Sequence, residues 1–149
     1  MNKLRVLVAD DHEQMRWTIV NVLDAHFEVI GAVADGKKLV EAAIALQPDV
    51  IVSDIAMPLL TGPEAMKELK SGWHDVPFVL VSGNPSDVTH WIEQGAAAFV
   101  DKIDIGYDLV PAVRSAAVGE LYLSRCARSC ILPQASLDRP IITTSRYPH

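Results

Sequence analysis

Short apolar runs alternate with helix-spaced apolar stripes five times between residues 4 and 118, and this alternation constrains the fold most. The runs are rich in Val and Ile and mostly apolar at consecutive positions, which is typical of strands covered on both faces. They are LRVLVA (4–9), FEVIGAVA (27–34), DVIVS (49–53), PFVLVS (77–82) and AAAFV (96–100). This order predicts an α/β fold, a doubly wound parallel sheet with helices on both faces.

The helices between the runs are predicted from apolar residues spaced three and four apart and from the residues that end helices. The stripes begin at Met15, Leu39, Ala65, Val88 and Leu109, and the helix stops are Pro48, Gly72, Gly95 and Gly119. After Gly119 the pattern lapses, apart from one turn expected near residues 124–131. We therefore expect one domain over residues 1–119 and a partly disordered linker or tail over 120–149.

Charge and composition exclude several classes of function. Residues 1–118 carry 9 Lys and Arg against 17 Asp and Glu, so this body is acidic and is not expected to bind nucleic acid directly. No apolar run is long enough to span a bilayer, and no signal-peptide core opens the chain, so we expect a cytoplasmic protein without a membrane partner. Cys126 and Cys130 are interpreted as small apolar residues rather than as a metal site.

Polar residues follow four of the predicted strands where each strand ends. Asp10 and Asp11 follow the first run, Asp54 the third, Ser82 ends the fourth, and Lys102 lies just after the fifth. Because ligands of open α/β sheets bind at the carboxyl ends of the strands, we expect these side chains to converge. Two adjacent carboxylates about 5 Å apart repel by roughly 3 kcal/mol at an effective dielectric near 20, and a bound cation offsets such repulsion.

The residue types at this edge indicate phosphoryl chemistry. Asp10, Asp11 and Asp54 form a set of oxygen ligands of the kind that Mg²⁺ prefers. A carboxylate beside a divalent cation and a lysine can act as a nucleophile toward phosphorus, while Lys102 neutralises charge on the phosphoryl oxygens. Ser82 is placed to donate a hydrogen bond to the bound phosphoryl group.

Residues 3 to about 118 resemble the receiver domain of two-component response regulators. Asp10-Asp11 resemble the acid pair of that family, and Asp54, in DIAMPLLTG, resembles its phospho-acceptor. The resemblance implies a flavodoxin-like sheet of five strands in the order 2-1-3-4-5, with the Ala56 backbone carbonyl as a further Mg²⁺ ligand. It also implies switch positions at Ser82 and Phe99 and a phosphoryl-binding role for Lys102; the Ile103 that follows departs from the proline common in the family.

The same resemblance implies a signalling protein rather than an enzyme, with phosphotransfer and dephosphorylation as its only reactions. Its partners would be a histidine kinase or phosphotransfer protein, and a homodimer is a further expectation. The segment GAAAFVDKIDIGYDLVPAVRSAAVGELYLS resembles receivers that precede a LuxR-type helix-turn-helix, so any output domain or protein lies outside this chain. The residues expected at a partner-binding face are Trp91, Asp101, Ile105, Tyr107 and Asp108.

Three alternatives stay open. A receiver-like interaction module that signals without phosphorylation would have the same fold, although the intact acids and Lys102 count against it. A Mg²⁺-dependent phosphohydrolase of the haloacid-dehalogenase type is disfavoured. Enzymes of that class carry the nucleophile and the acid two residues apart on the first strand, whereas here Asp10 and Asp11 are adjacent and the best nucleophile, Asp54, follows the third strand. A flavodoxin-like cofactor module is disfavoured because Asp10 and Asp11 would repel a phosphate. His12 is interpreted as the start of a helix rather than as a metal ligand.

Overall fold

The computed structural model describes residues 3–72 and 74–138, with side chains as far as residue 131. Its elements in chain order are β1 (Arg5–Ala9), α1 (Glu13–Asp24), β2 (Glu28–Val33), α2 (Gly36–Leu46), β3 (Val50–Asp54), α3 (Gly62–Ser71), β4 (Phe78–Ser82), α4 (Val88–Glu93), β5 (Ala98–Asp101), α5 (Ile105–Ala117), β6 (Tyr122–Leu123) and α6 (Arg125–Asp138). Two short 3₁₀ turns precede helices: the β4–α4 turn (Pro85–Asp87) and the β5–α5 turn (Lys102–Asp104). The predicted alternation of strands and helices is thus confirmed for β1 to α5.

All the strands of the sheet run parallel, in the order β2-β1-β3-β4-β5-β6. The expected order is confirmed for the first five strands, but the expected number was wrong, because the sheet has six. The sixth strand pairs with β5, with Tyr122 opposite Ala98 and Leu123 opposite Phe99. Two residues are too few to show the periodicity by which strands are predicted.

The sheet separates two apolar cores, as expected for a sheet that is covered on both faces. Successive strand residues point to opposite faces, so Val6 and Val8 of β1 enter one core while Leu7 and Ala9 enter the other. The first core is closed by α1 and α5, and the second by α2, α3 and α4. The sheet thus brings the carboxyl ends of β1, β3, β4 and β5 to one rim.

The segment after α5 contributes to this fold as far as the structure describes it. Tyr122 joins the first core, whereas Leu123 and Ala127 join the second. The first part of α6 therefore packs against the β5 edge of the sheet, in the segment that was expected to be linker or tail. The predicted domain boundary at residue 119 stays a prediction, and the expectation for residues 139–149 lies outside the described residues.

Within residues 3–72 and 74–138, no helix combines the length and the apolar character that a membrane span requires.

Candidate acidic phosphoryl site

The register of the sheet brings the predicted polar residues to one rim. Ala9 lies opposite Ser53, so Asp10 and Asp54, each one residue further along, are neighbours at the ends of β1 and β3. Asp54 lies opposite Val81, which places Ser82 one residue beyond it on β4. Ser82 in turn lies opposite Asp101, and Lys102 follows directly. The convergence expected from the sequence therefore occurs.

Three carboxylates and one imidazole form a cluster at this rim. One potential ligand atom from each of Asp10, Asp11, His12 and Asp54 lies within 4.8 Å of the others. Asp10 is fully buried and Asp54 is nearly so, whereas the side chain of Asp11 is 29% exposed. The cluster thus combines high negative charge with low access to water, which is unfavourable unless a cation or hydrogen bonds compensate.

Two oxygen atoms of the cluster lack the hydrogen bonds that buried oxygens normally make. Asp10 Oδ2 and Asp11 Oδ1 are buried and accept no hydrogen bond from any described residue. The other oxygen of Asp10 accepts the backbone N–H of His12 at 2.9 Å. Buried carboxylate oxygens without hydrogen bonds, in a cluster of three acids, suit a hard cation such as Mg²⁺, which takes oxygen ligands and retains water. The donor set therefore fits Mg²⁺.

Asp54 carries the carboxylate that is best placed to react. Its Oδ1 accepts the N–H of Ile55 at 2.8 Å, and its Oδ2 lies 3.6 Å from the Lys102 ammonium nitrogen. Burial raises the pKa of the Asp54 carboxyl above its ordinary value, and the Asp10 carboxylate raises it further, whereas the Lys102 ammonium lowers it. Positive charge at this site therefore favours the carboxylate form of Asp54.

Hydrogen bonds at the end of β3 and in the loop after it fix the backbone around Asp54. The Ser53 hydroxyl donates to the Asp54 carbonyl at 2.8 Å, and the Gly62 N–H donates to the Ile55 carbonyl at 2.8 Å. A Cβ atom at Gly62 would lie 2.2 Å from the Asp54 carbonyl oxygen, so only glycine permits this approach. Helix α3 then begins in a capping box formed by Thr61 and Glu64.

The other predicted site residues are placed as follows. Ser82 is partly exposed, and its hydroxyl oxygen accepts the N–H of Asn84 at 3.0 Å. Ala56 is exposed in the loop after β3, two residues beyond Asp54. Phe99 is fully buried in the second core, between Leu80 on β4 and Leu123 on β6. The roles expected for these three positions stay predictions.

The structure does not bring the five residues expected at a partner-binding face to one open surface. Tyr107 is 81% exposed and Trp91 is partly exposed, but Asp101, Ile105 and Asp108 are buried. The Asp101 carboxylate accepts the N–H of Ile103, and Ile105 belongs to the first core. The Asp108 carboxylate accepts hydrogen bonds from the Tyr122 hydroxyl and the Arg125 N–H. The sequence had not predicted that this segment packs against α5.

His12, interpreted from the sequence as a helix start rather than a metal ligand, lies beside the acid pair. Its Nδ1 lies 3.3 Å from Asp11 Oδ1 and 3.6 Å from Asp10 Oδ1, while the side chain is 70% exposed. It precedes α1 in extended conformation, as expected for the residue at a helix start. The signal in the sequence was its adjacency to the acid pair, because residues that follow a strand end share the rim with it.

The chain thus alternates strands and helices around one parallel sheet, with three acids and a lysine together at its carboxyl rim. Residues 6–113 match the response regulator receiver domain family, and the chain belongs to that family.

Relatives and solved structures give the same classification. The transcriptional regulatory protein DegU of Brevibacillus brevis is 33% identical over 126 residues, which cover 82% of this chain and 53% of DegU. Protein-glutamate methylesterase/protein-glutamine glutaminase 5 of Geobacter metallireducens is 52% identical over 112 residues, which cover 73% of this chain and 29% of that protein. The signal receiver domain of the response regulator NarL from Mycobacterium tuberculosis superposes with a TM-score of 0.75 at 31% identity, covering 80% of this chain and all of that one. The chain thus spans about half of DegU and less of the methylesterase.

Proposed function

We propose that this chain is a phosphorylation-controlled switch that accepts a phosphoryl group on Asp54 from the phosphohistidine of a histidine kinase or phosphotransfer protein. The observation that carries the proposal is the cluster of Asp10, Asp11 and Asp54 within 4.8 Å, with Lys102 3.6 Å from Asp54. Membership of the receiver family supports it. The buried, unsatisfied oxygens of the cluster give a physical reason for a cation there.

In this proposal Asp10, Asp11 and Asp54 hold Mg²⁺, together with the Ala56 carbonyl. The ion, when bound, neutralises charge on the oxygens of the transferring phosphoryl group. The acids lie at the rim of the sheet, where the Asp11 side chain is 29% exposed while Asp54 is nearly buried.

In the transfer the carboxylate of Asp54 is the nucleophile. One of its oxygens attacks phosphorus in line with the bond to the donor imidazole, and a P–O bond forms as the P–N bond breaks. The electron pair of the broken bond stays on the imidazole nitrogen, and the product on Asp54 is an acyl phosphate. Lys102 stabilises the charge on the phosphoryl oxygens in the transition state and in the product.

The new charge would then act on the rim loops. A phosphoryl group adds about −1.5 to −2 charge, which attracts the Lys102 ammonium and the Ser82 hydroxyl. Ser82 would exchange its contact with the Asn84 N–H for a hydrogen bond to a phosphoryl oxygen. Phe99 would adjust its packing if Ser82 moves, since its neighbour Leu80 lies on the same strand.

The catalytic activity in the name of the Geobacter relative is not proposed for this chain. That match covers 29% of the methylesterase, so it supports the shared receiver domain and leaves the reaction of the whole protein unassigned. The name of DegU describes a regulator of transcription. For this chain, control of transcription is proposed only as one process that the switch could regulate.

The test is incubation with acetyl phosphate and Mg²⁺, followed by intact mass spectrometry. We expect the gain of one phosphoryl group, which is lost at alkaline pH and is absent in Asp54→Asn. Asp75→Asn is the matched control, because Asp75 is an exposed aspartate outside the cluster. If the wild-type chain gains no phosphoryl group from acetyl phosphate or from phosphorylated histidine kinases, the proposal is wrong, and the chain is a receiver-like module that signals without phosphorylation.

A further inference from the structure

Helix α6 begins against two carboxylates that come from the preceding elements. Asp108 of α5 accepts the N–H of Arg125 at 3.0 Å and also the hydroxyl hydrogen of Tyr122. Asp104 of the β5–α5 turn accepts the N–H of Cys126 at 2.8 Å. The first N–H groups of a helix lack partners within the helix, and negative charge near them is favourable. The two carboxylates therefore fix the start of α6.

Ser124 ties the same segment to the edge strand β5. It is fully buried, its N–H donates to the Phe99 carbonyl at 3.0 Å, and its hydroxyl oxygen accepts the N–H of Asp101 at 2.9 Å. Its own carbonyl accepts the N–H of Arg128, which closes the first turn of α6. Strand β6 and the start of α6 thus dock as one unit on β5 and α5.

This docked unit contacts both rim loops that carry predicted phosphoryl-binding residues. Helix α6 packs against the β4–α4 turn, the β5–α5 turn and α4. The β5–α5 turn is only three residues long; Lys102 at its start reaches Asp54, and Asp104 at its end holds α6. The β4–α4 turn follows Ser82 by three residues, with the Asn84 side chain capping it. One short turn therefore connects the acidic cluster with the helix.

We propose that residues 122–138 form a latch that phosphorylation of Asp54 opens. The latch is closed when β6 and α6 are docked through Asp104 and Asp108. This proposal rests on the proposed function, because the phosphoryl group on Asp54 is the trigger that opens the latch. When Lys102 moves toward the phosphoryl oxygens, the β5–α5 turn moves with it and draws the Asp104 carboxylate away from the Cys126 N–H. Loss of that contact weakens the start of α6, where helices are least stable.

The opened latch would uncover the surface on which the sequence predicted partner binding. In the closed arrangement both aspartates are buried: the Asp101 N–H donates to the Ser124 hydroxyl, and the Asp108 carboxylate accepts the N–H of Arg125. Leu123 and Ala127 cover the side of the second core next to β5. Departure of the segment would add these positions to a surface on which Tyr107 is already exposed and Trp91 partly exposed. The surface is thus blocked by the chain's own helix until Asp54 is modified.

Coupling of this kind is reciprocal, which supplies a second measurement. If phosphorylation weakens the docking of α6, weaker docking must favour the phosphorylated conformation. A variant with an impaired latch should therefore bind an aspartyl-phosphate mimic more tightly than the wild-type chain.

The test is backbone amide hydrogen exchange of the whole chain, read by mass spectrometry on peptides covering residues 122–131. Beryllium fluoride with Mg²⁺ serves as the aspartyl-phosphate mimic, and Mg²⁺ alone is the reference. We expect exchange in this segment to accelerate by about tenfold with the mimic, and not in Asp54→Asn. The peptides of β2, at the opposite edge of the sheet from β6, should be unaffected by opening of the latch.

Variants of the latch separate docking from phosphorylation. The double variant Asp104→Asn/Asp108→Asn keeps the side-chain size but removes both charges, and should accelerate exchange in residues 122–131 without the mimic. Tyr122→Phe, which removes one hydroxyl contact to Asp108, should do so to a smaller extent and serves if the double variant does not fold. Asp75→Asn is the control and should leave the exchange unchanged.

The possible failures are distinguishable. If Asp54 gains the phosphoryl group but exchange in residues 122–131 stays within about twofold of the reference, the latch is overturned and the proposed function stands. If neither latch variant changes the exchange, the docking role of Asp104 and Asp108 is wrong, whatever happens at Asp54. If Asp54 gains no phosphoryl group, the proposed function fails, and the trigger of the latch fails with it.

Discussion

At the level of single residues, the acidic cluster works against the stability of the fold that carries it. Asp10 and Asp54 are buried at the ends of neighbouring strands, and the Asp10 carboxylate raises the pKa of Asp54 in addition to the effect of burial. An aspartate with a raised pKa in the folded chain lowers stability at pH values above that pKa, because the charged form is better tolerated when unfolded. The proposed phosphoryl-accepting role of Asp54 gives a reason for a cluster that carries this cost.

Replacing Asp54 should therefore stabilise the chain when no cation is present. We expect Asp54→Asn to raise the free energy of unfolding by about 1 kcal/mol at pH 7 in EDTA, because one of several mutually repelling charges is removed. The amide can still accept the Ile55 N–H, so the local hydrogen bond is retained. Urea unfolding followed by circular dichroism measures the difference.

The same measurement on Asp75→Asn is the control for loss of an aspartate charge. Asp75 is exposed, so its replacement should change stability by less than about 0.5 kcal/mol. If Asp54→Asn is instead less stable than the wild-type chain in EDTA, the attraction to Lys102 outweighs the repulsion and the burial, and the account of the cluster is wrong.

At the level of elements, the strands and helices from β1 to α5 could be predicted because each carries its own signal. Their apolar periodicity and their Gly, Pro and N-cap residues are local, as at α3, where Thr61 and Glu64 flank Gly62-Pro63. Strand β6 is too short for such a signal. The turn expected near residues 124–131 falls at the start of α6. The docking of that helix depends on Asp104 and Asp108, which lie about twenty residues earlier, so no local pattern could reveal it.

The start of α3 offers a test of how an element supports the site. We expect Gly62→Ala to lower the free energy of unfolding by about 1–3 kcal/mol, because its Cβ would meet the Asp54 carbonyl oxygen at 2.2 Å and the Ser53 hydroxyl at 2.7 Å. The forced shift of the Asp54 backbone should also slow labelling by acetyl phosphate. Urea unfolding and the rate of mass gain measure the two effects.

Gly106→Ala is the matched glycine variant for this experiment. Gly106 lies in the first turn of α5, where an added Cβ meets no described atom within 4 Å. Alanine there should be neutral or stabilise the chain by up to about 1 kcal/mol, since alanine favours helix. Equal behaviour of the two alanine variants would contradict the claim that α3 must approach Asp54 closely.

At the level of the whole molecule, the sheet gathers negatively charged side chains at the carboxyl rim, where both apolar cores end. The chain carries a net charge of −6, and three of its acidic groups are gathered at one rim beside Lys102. The positions of these groups could be predicted from the ends of the apolar runs. Their burial and the unsatisfied oxygens could not, because they depend on how the rim loops close over the strands.

Mg²⁺ should consequently stabilise the folded chain as a whole, since the cluster exists only when β1 and β3 are paired. A ligand that binds only the folded state at tenfold excess over its Kd adds about 1.4 kcal/mol. For a chain of this length we expect Tm to rise by about 3–6 °C, measured by scanning calorimetry in MgCl₂ against NaCl of equal ionic strength. Asp11→Asn removes one ligand at the rim and should lose most of this rise, whereas Asp75→Asn should retain it. An equal rise in both variants would mean that Mg²⁺ acts on the general surface charge rather than at the cluster.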